Sequence, residues 1–349
     1  MRKMKMGLLT LILMIVSTSI LLNSCKKEDP IVVDKAALQT AINAADALIA
    51  SSTEGTAEGQ FLRGSKAVFQ AVIDAAQVVY DNAEATQSEV DNTAISIQAA
   101  TDVFNSNLVE AIAPESLMAH WTFDDGAGTT LTDFSGNNFD GTLMDGSGTW
   151  GGGLPTWTTD RYGNAGGALM FNEGAHVNIP YNTALNPQEL SISVWVNVAE
   201  ILENNRFMGL HSWNGYKFQL QSANKPFFTI AASEGIYDKD TDPGLDINTW
   251  YHLVVTFGGG KTTFYVSGTE TQVWDDTPGT AVAVTGHDLV FGQGSSKYAD
   301  VDTNYDIDKI IPKAWGGYYH GALDEVRIYN TVLSAAQVQT IYELEKVGA

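Results

Sequence analysis

"NTWYHLVVTFGGGKTTFYVSG", residues 248–268, decides the fold. Trp250 to Phe257 is rich in β-branched and aromatic residues, and so is Thr262 to Val266. Between the two runs stand Gly258, Gly259 and Gly260. Strand-like runs joined by a short glycine turn read as a β-hairpin. Upstream, Leu190, Ile192, Val194, Val196 and Val198 alternate with Ser191, Ser193, Trp195 and Asn197. A period of two puts each set on one side of a strand. From Leu117 onward such short patterns recur between turn signals, which predicts a two-sheet antiparallel sandwich or jelly roll. "LSAAQVQTIYELE", residues 333–345, reads as a short amphipathic helix capped by Ser334.

Residues 34–113 have another texture, rich in alanine and poor in aromatics. Leu38, Ile42, Ala45 and Ile49 form one helical stripe. Val68, Val72, Ala75 and Val79 form a second. Val90, Ala94, Ile97, Thr101, Phe104 and Leu108 form a third. Thr86 and Glu89 fit a capping box at the start of the third helix. Three helices with short connections predict a bundle. Pro114 in "APES", residues 113–116, marks the link to the β-rich part. The expected division is therefore 34–113 for the bundle and 117–349 for the jelly roll.

Four stretches carry a resemblance: "AHWTFDDGAGTTLTDFSGNNFDGTL", "RYGNAGGALMFN", the hairpin above and "GALDEVRIYNTVLSAAQVQTIYE". In this order they resemble the laminin-G-like jelly roll of the concanavalin A-like lectin/glucanase superfamily. The resemblance implies two antiparallel sheets, one concave, with binding loops along that face. "DNAEATQSEVDNTAISIQAATDVF" is similar to the FIVAR module of bacterial surface proteins, which implies a helical spacer.

The N-terminus reads as a leader. Arg2, Lys3 and Lys5 precede the apolar run from Met6 to Leu22, the pattern of a cleaved signal peptide over residues 1–24. "LNSC" ends at Cys25, the only cysteine of the 349 residues, and resembles a bacterial lipobox. The resemblance implies lipidation of Cys25, with residues 25–33 as a tether. "KKEDP" after it is similar to the lysine-plus-acidic signal that Bacteroidota use for surface export. The expected location is the cell surface, on the outer membrane, with the lipid as the only membrane contact.

The chain has 19 basic and 41 acidic residues, a net charge of −22. Such a surface repels nucleic-acid phosphates and argues against a nucleic-acid partner. It also favours a neutral glycan, such as a β-glucan, over a strongly anionic one unless a local basic patch intervenes. With a lone cysteine, neither disulfides nor thiolate metal sites are available.

Glycosidases need two carboxylates across the scissile bond. The superfamily's catalytic members carry Glu-x-Asp-x-x-Glu on one strand, and that spacing is missing here. Asp324 and Glu325 are adjacent in "LDEVRIY", so a regular strand turns them to opposite sides. The arginine, glutamine, histidine and tyrosine set of the superfamily's lyases is not assembled either. His211 is isolated, and His252 sits in a strand pattern as a structural residue. A non-enzyme is expected.

Laminin-G-like domains often hold one calcium where the first and last strands meet, and the matching acids are Asp124, Asp133 and Asp324. A structural Ca2+ is therefore an expectation. Two acidic runs, "DKDTDPGLD" and "DVDTNYDID", lack the glycine and glutamate positions of an EF-hand and read as acidic loops.

Sugars offer flat C–H faces rimmed by hydroxyls, so their sites pair exposed rings with polar side chains. Tryptophan is usually buried, which makes tryptophan in polar loops informative. Trp213 stands beside His211, Asn214 and Tyr216. Trp315 stands near Tyr318, and Trp157 lies in a glycine- and threonine-rich loop. These seven are the candidate ligand-binding residues. Trp121, Trp195 and Trp250 lie in strand patterns and read as core. The combined expectation is a non-catalytic surface glycan-binding lipoprotein, feeding polysaccharide to glycosidases and an outer-membrane importer. An adhesin for a protein or host glycan is the alternative, and a hydrolase or lyase with an unrecognised site the third reading.

Overall fold

The computed structural model describes residues 32–55, 57–146, 153–172, 174–294 and 317–346. Cys25, Trp315 and the run Asp300–Asp308 lie outside them, so the expectations placed on them stay with the sequence.

The β-rich part is the expected two-sheet antiparallel sandwich, mainly β. Its strands are β1 Leu117–Trp121, β2 Thr130–Leu131, β3 Gly141–Met144, β4 Thr156–Thr159, β5 Ala165–Phe171, β6 His176–Ile179, β7 Leu190–Val198 and β8 Asn204–Leu210. There follow β9 Tyr216–Gln221, β10 Lys225–Ala232, β11 Gly235–Asp240, β12 Trp250–Gly258, β13 Lys261–Val266, β14 Thr269–Trp274, β15 Leu289–Phe291 and β16 Gly321–Tyr329. The first sheet runs β14-β13-β12-β7-β16-β5-β4, with β1 also on β16. The second runs β11-β10-β9-β8-β15-β6-β3-β2. The opening hairpin is β12 and β13, closed by the Gly258–Lys261 pair, and β12 also pairs β7.

The inner faces interdigitate. Leu190, Ile192, Val194, Val196 and Val198 of β7 meet Phe207, Phe218, Phe228 and Phe291 of the second sheet in one core. Trp121 is fully buried and meets Phe291 edge-on at 5.0 Å. Full burial of each such side chain stabilises by about 1.5–3 kcal/mol.

The other side of β7 is buried as well. Ser191 and Ser193 are buried, Ser191 bonding Thr331 and Leu333, and Trp195 packs on α4, Ala335–Glu345, which starts with the Ser334/Gln337 capping box. Tyr342 of α4 stacks at 5.9 Å from both Trp195 and His252. His252 Nε2 is hydrogen-bonded to Ser193 Oγ at 2.8 Å. Burial pushes it down to about 3, so it is neutral and structural.

The N-terminal bundle consists of α1 Ala36–Ser51, α2 Ser65–Asp81 and α3 Gln87–Ser106. Leu38, Ile42 and Ala45 of α1 and Val90, Ile97 and Phe104 of α3 are buried as the stripes predict, and the Thr86/Glu89 capping box forms. The stripe on α2 is displaced by one residue. Phe69, Ile73 and Ala76 face the core, while Val68 is 67% exposed. Both stripes share the helical spacing; the one with the larger side chains buries more apolar area and stacks Phe69 on Phe104 at 4.8 Å. After α3 the chain runs along α4: Gln337 Nε2 donates to Ala111 O at 2.7 Å, and Ile112 packs on Val338 and its neighbours. Among the described residues no helix is long and apolar enough to cross a membrane.

Candidate functional site

The two outer faces of the sandwich carry the polar chemistry. On the first sheet, under α4, Arg161 Nη1 pairs with Asp324. Its Nη2 lies 3.7 Å from Glu325 and its Nε donates to Glu345 O at 2.7 Å. Arg327 pairs with Glu345 and, at 2.9 Å, with Glu325. Trp195 Nε1 donates to Glu345 at 2.7 Å, and His120 reaches Glu325 at 2.7 Å. Burial raises Asp324 against the pull of Arg161, while His120 and Arg327 draw Glu325 down against its own burial. Every buried charge here has an opposite partner, and the set fastens the end of α4 to the sheet.

This face corrects one expectation. Asp324 and Glu325 do not turn to opposite sides. Glu325 has φ 51°, and the register shifts between Asp324 and Arg327. The bulge re-aims Glu325 so that both carboxylates meet one guanidinium.

The same geometry tests the calcium expectation. Asp133 accepts from the N–H groups of His120, Ser135 and Phe139, each at 2.9 Å, and from Ser135 Oγ at 2.8 Å. It organises a turn. Asp324 is engaged by Arg161, which supplies the positive charge a cation would bring. Burial raises Asp124, with Glu325 and Asp160 adding to the rise. Among the described residues no three metal-capable side chains gather. These acids do not fit a calcium ion.

The second sheet's outer face is built differently. In "YKFQLQ" the inward residues are Tyr216, Phe218 and Leu220, and the outward ones Lys217, Gln219 and Gln221. Cross-strand register adds Asn204 and Arg206 from β8, Phe227 and Thr229 from β10, and Asp238 and Asp240 from β11. Lys217 Nζ donates to Thr229 Oγ1 at 2.6 Å, and Thr229 in turn bonds Asp238. Arg206 Nε reaches Gln219 Oε1 at 3.3 Å, and Gln219 Nε2 reaches Asn204 at the same distance. Gln221 Nε2 donates to Asp240 at 3.0 Å. Burial, with Arg206 nearby, pushes Lys217 down to about 7.

Trp213 crowns this face. It sits in the 3-10 turn Ser212–Asn214 between β8 and β9 and is 38% exposed. The Lys217 ammonium lies 4.5 Å from its ring centre and the Arg206 guanidinium 5.0 Å. His211 and Ser212 both adopt left-handed backbone, φ 60° and 46°. Non-glycine residues there cost about 1–3 kcal/mol each and persist only where the surroundings hold them. Ser212 N and Oγ both donate to Gly294 O, at 3.1 and 2.8 Å, and the His211 ring stacks on His287 at 3.6 Å. Gly209 keeps β8 close to this point, because a Cβ there would strike the Gly294 carbonyl.

Of the candidate residues, Trp213 and Asn214 are exposed together in this turn, with His211 half-buried at its start. Tyr216 lies in the core, its hydroxyl donating to Leu185 O at 2.7 Å, and Tyr318 is 3% exposed. Neither presents a ring to solvent. Trp157 lies on β4 at the edge of the other sheet, half-buried, with Nε1 donating to Gly128 O at 3.2 Å. Arg206, Lys217, Gln219 and Phe227 were missed. The alternation in "YKFQLQ" carried the signal for Lys217 and Gln219: once Tyr216 is assigned inward, they face out.

Residues 171–339 match the family described as the concanavalin A-like lectin/glucanases superfamily. No curated protein matches. Among solved structures, the chain is similar to the binding domain of Paraclostridial Mosquitocidal Protein 1 at 15% identity and TM-score 0.49, covering 66% of this chain and 52% of that one. It is similar to domain 4 of AbnA, a GH43 extracellular arabinanase from Geobacillus stearothermophilus, in complex with arabinotriose, at 20% identity and TM-score 0.47, covering 65% and 98%. It is also similar to the receptor binding domain of botulinum neurotoxin C/D mosaic serotype at 16% identity and TM-score 0.46, covering 67% and 52%. The chain thus spans about half the length of both toxin domains.

Proposed function

We propose that this protein is a non-catalytic polysaccharide-binding lipoprotein of the cell surface, held by a lipid on Cys25 and spaced from the membrane by its helical bundle. One observation carries the reading: a part-exposed Trp213 ring, with exposed Asn214 beside it, stands at the edge of a sheet face that also carries the part-exposed Asn204, Gln221 and Phe227. Apolar ring plus hydrogen-bonding amides is the pairing a sugar requires. The lectin/glucanase family match over residues 171–339 supports the same class. The acids on this face are bound to neighbours, Asp238 to Thr229 and Asp240 to Gln221, which supports binding rather than hydrolysis. In this reading the captured glycan passes to glycosidases and an outer-membrane importer.

Affinity electrophoresis of residues 26–349 through gels holding a polysaccharide panel tests it. Retardation by one glycan, with no reducing ends released, is the expected result. Released product makes the protein a hydrolase or lyase. No retardation by any glycan contradicts capture and leaves the adhesin for a protein partner. For the anchor, Cys25→Ala is expected to shift the protein from the membrane to the soluble fraction, and continued retention contradicts lipidation.

A further inference from the structure

We propose that the glycan taken by this face carries a carboxylate, as a uronate sugar does, and that Arg206, with Lys217 beside it, receives that carboxylate next to the Trp213 ring. The inference rests on the glycan-binding reading and names its substrate class. It replaces the neutral glycan that bulk charge favoured.

The first ground is position. In a chain with 41 acidic and 19 basic residues, two cations share one sheet face, at 3% and 1% exposure. Burying a charge is costly unless an opposite charge or full hydrogen bonding offsets it. On the opposite face Arg161 and Arg327 each have carboxylates. Arg206 has none among the described residues. Its Nε makes one long bond, to a neutral amide, and its buried Nη1 has no partner.

The second ground is geometry. A guanidinium is a planar fork that takes a carboxylate through two parallel bonds. Arg206 bonds loosely through Nε, and its buried Nη1 is a donor that the described residues do not use. Lys217 commits one bond, to Thr229, and its ammonium has three donors in all. Both cations lie within 5.0 Å of the Trp213 ring centre, so a sugar packed against that ring would bring a carboxylate at its C6 position close to them. The acids nearby, Asp238 and Asp240, are bonded to Thr229 and Gln221 rather than to Arg206.

The test uses the full mature protein and matched polymers: polygalacturonate, alginate and glucuronoxylan, the carboxyl-reduced form of each, a neutral β-glucan and a sulfated galactan. Affinity is measured for the wild type and for R206Q, with circular dichroism to confirm that the variant folds. One uronate polymer is expected to bind, its carboxyl-reduced form at least ~10-fold more weakly, with a similar loss in R206Q and weakening by salt. The reduced-polymer comparison needs no variant, so a misfolded R206Q leaves the proposal testable. Equal binding of reduced and unreduced polymer, or binding of the β-glucan or the sulfated galactan alone, overturns the carboxylate while leaving glycan binding intact. Binding of none of the polymers overturns both.

Discussion

The sandwich has two polar outer faces, and they treat buried charge in opposite ways. Beneath α4, Arg161, Arg327, Asp324, Glu325 and Glu345 form a closed set in which each charge meets its opposite. Beside Trp213, Arg206 and Lys217 are as deeply buried, yet among the described residues one has no carboxylate partner and the other bonds a single hydroxyl. The first arrangement holds the fold together. The second leaves Arg206 Nη1 without a partner beside a part-exposed ring, and the proposed binding site rests on that contrast. What separates a structural ion pair from a binding residue here is satisfaction, since burial is alike on both sides.

The sharpest way to break the comparison is Asp324→Ala. It takes the nearest carboxylate from Arg161 and leaves it Glu325 at 3.7 Å and the Glu345 carbonyl, and removing one partner of a buried pair costs about 3–5 kcal/mol. Chemical denaturation is expected to show that loss. A change under about 1 kcal/mol would mean the network is no more than a surface pairing.

Lys217→Met should act in the reverse direction. The ordinary lysine value is 10.5, and burial pushes Lys217 down to about 7. Between these two values the unfolded chain holds a proton that the folded chain gives up, so stability rises with pH across that window. The penalty is full below pH 7 and gone above 10.5. At pH 6 methionine is expected to stabilise by on the order of a few kcal/mol, and at pH 11 by nothing. Destabilisation at both pH values would show the ammonium to be well paired and would erase the contrast between the faces.

The smallest expected effect is that of a chelator. Because Arg161 already answers Asp324 and Asp133 is spent on backbone N–H groups, EDTA should leave the thermal midpoint unchanged. A clear fall would place a cation among acids that the described geometry gives to other partners.

The sequence disclosed much of the fold. The 248–268 hairpin, the alternation in β7 and the capped terminal helix all formed, because period and turn chemistry are local properties. The errors arose where two local solutions were equivalent. On α2 the valine stripe and the Phe69 stripe share one spacing, and only the partner helix selects between them. At Glu325 a one-residue bulge, invisible to the alternation rule, brought two carboxylates together. At the proposed site, Trp213 and Asn214 were nominated from composition and are exposed, whereas Tyr216 was credited as a polar neighbour when strand parity turns it into the core. Arg206 could not be foreseen, since its place beside Trp213 depends on the pairing of β8 with β9.

The most direct measurement is the affinity of the mature protein for its polysaccharide, compared between Trp213→Ala and Trp157→Ala. Trp213 stands on the second sheet's outer face, and Trp157 on an edge strand of the first sheet. Loss of at least ~10-fold, about 1.4 kcal/mol, in Trp213→Ala with both variants folded and Trp157→Ala binding as the wild type is the predicted result. Undiminished binding by Trp213→Ala would contradict the assignment of the site to the face that carries Arg206 and Lys217.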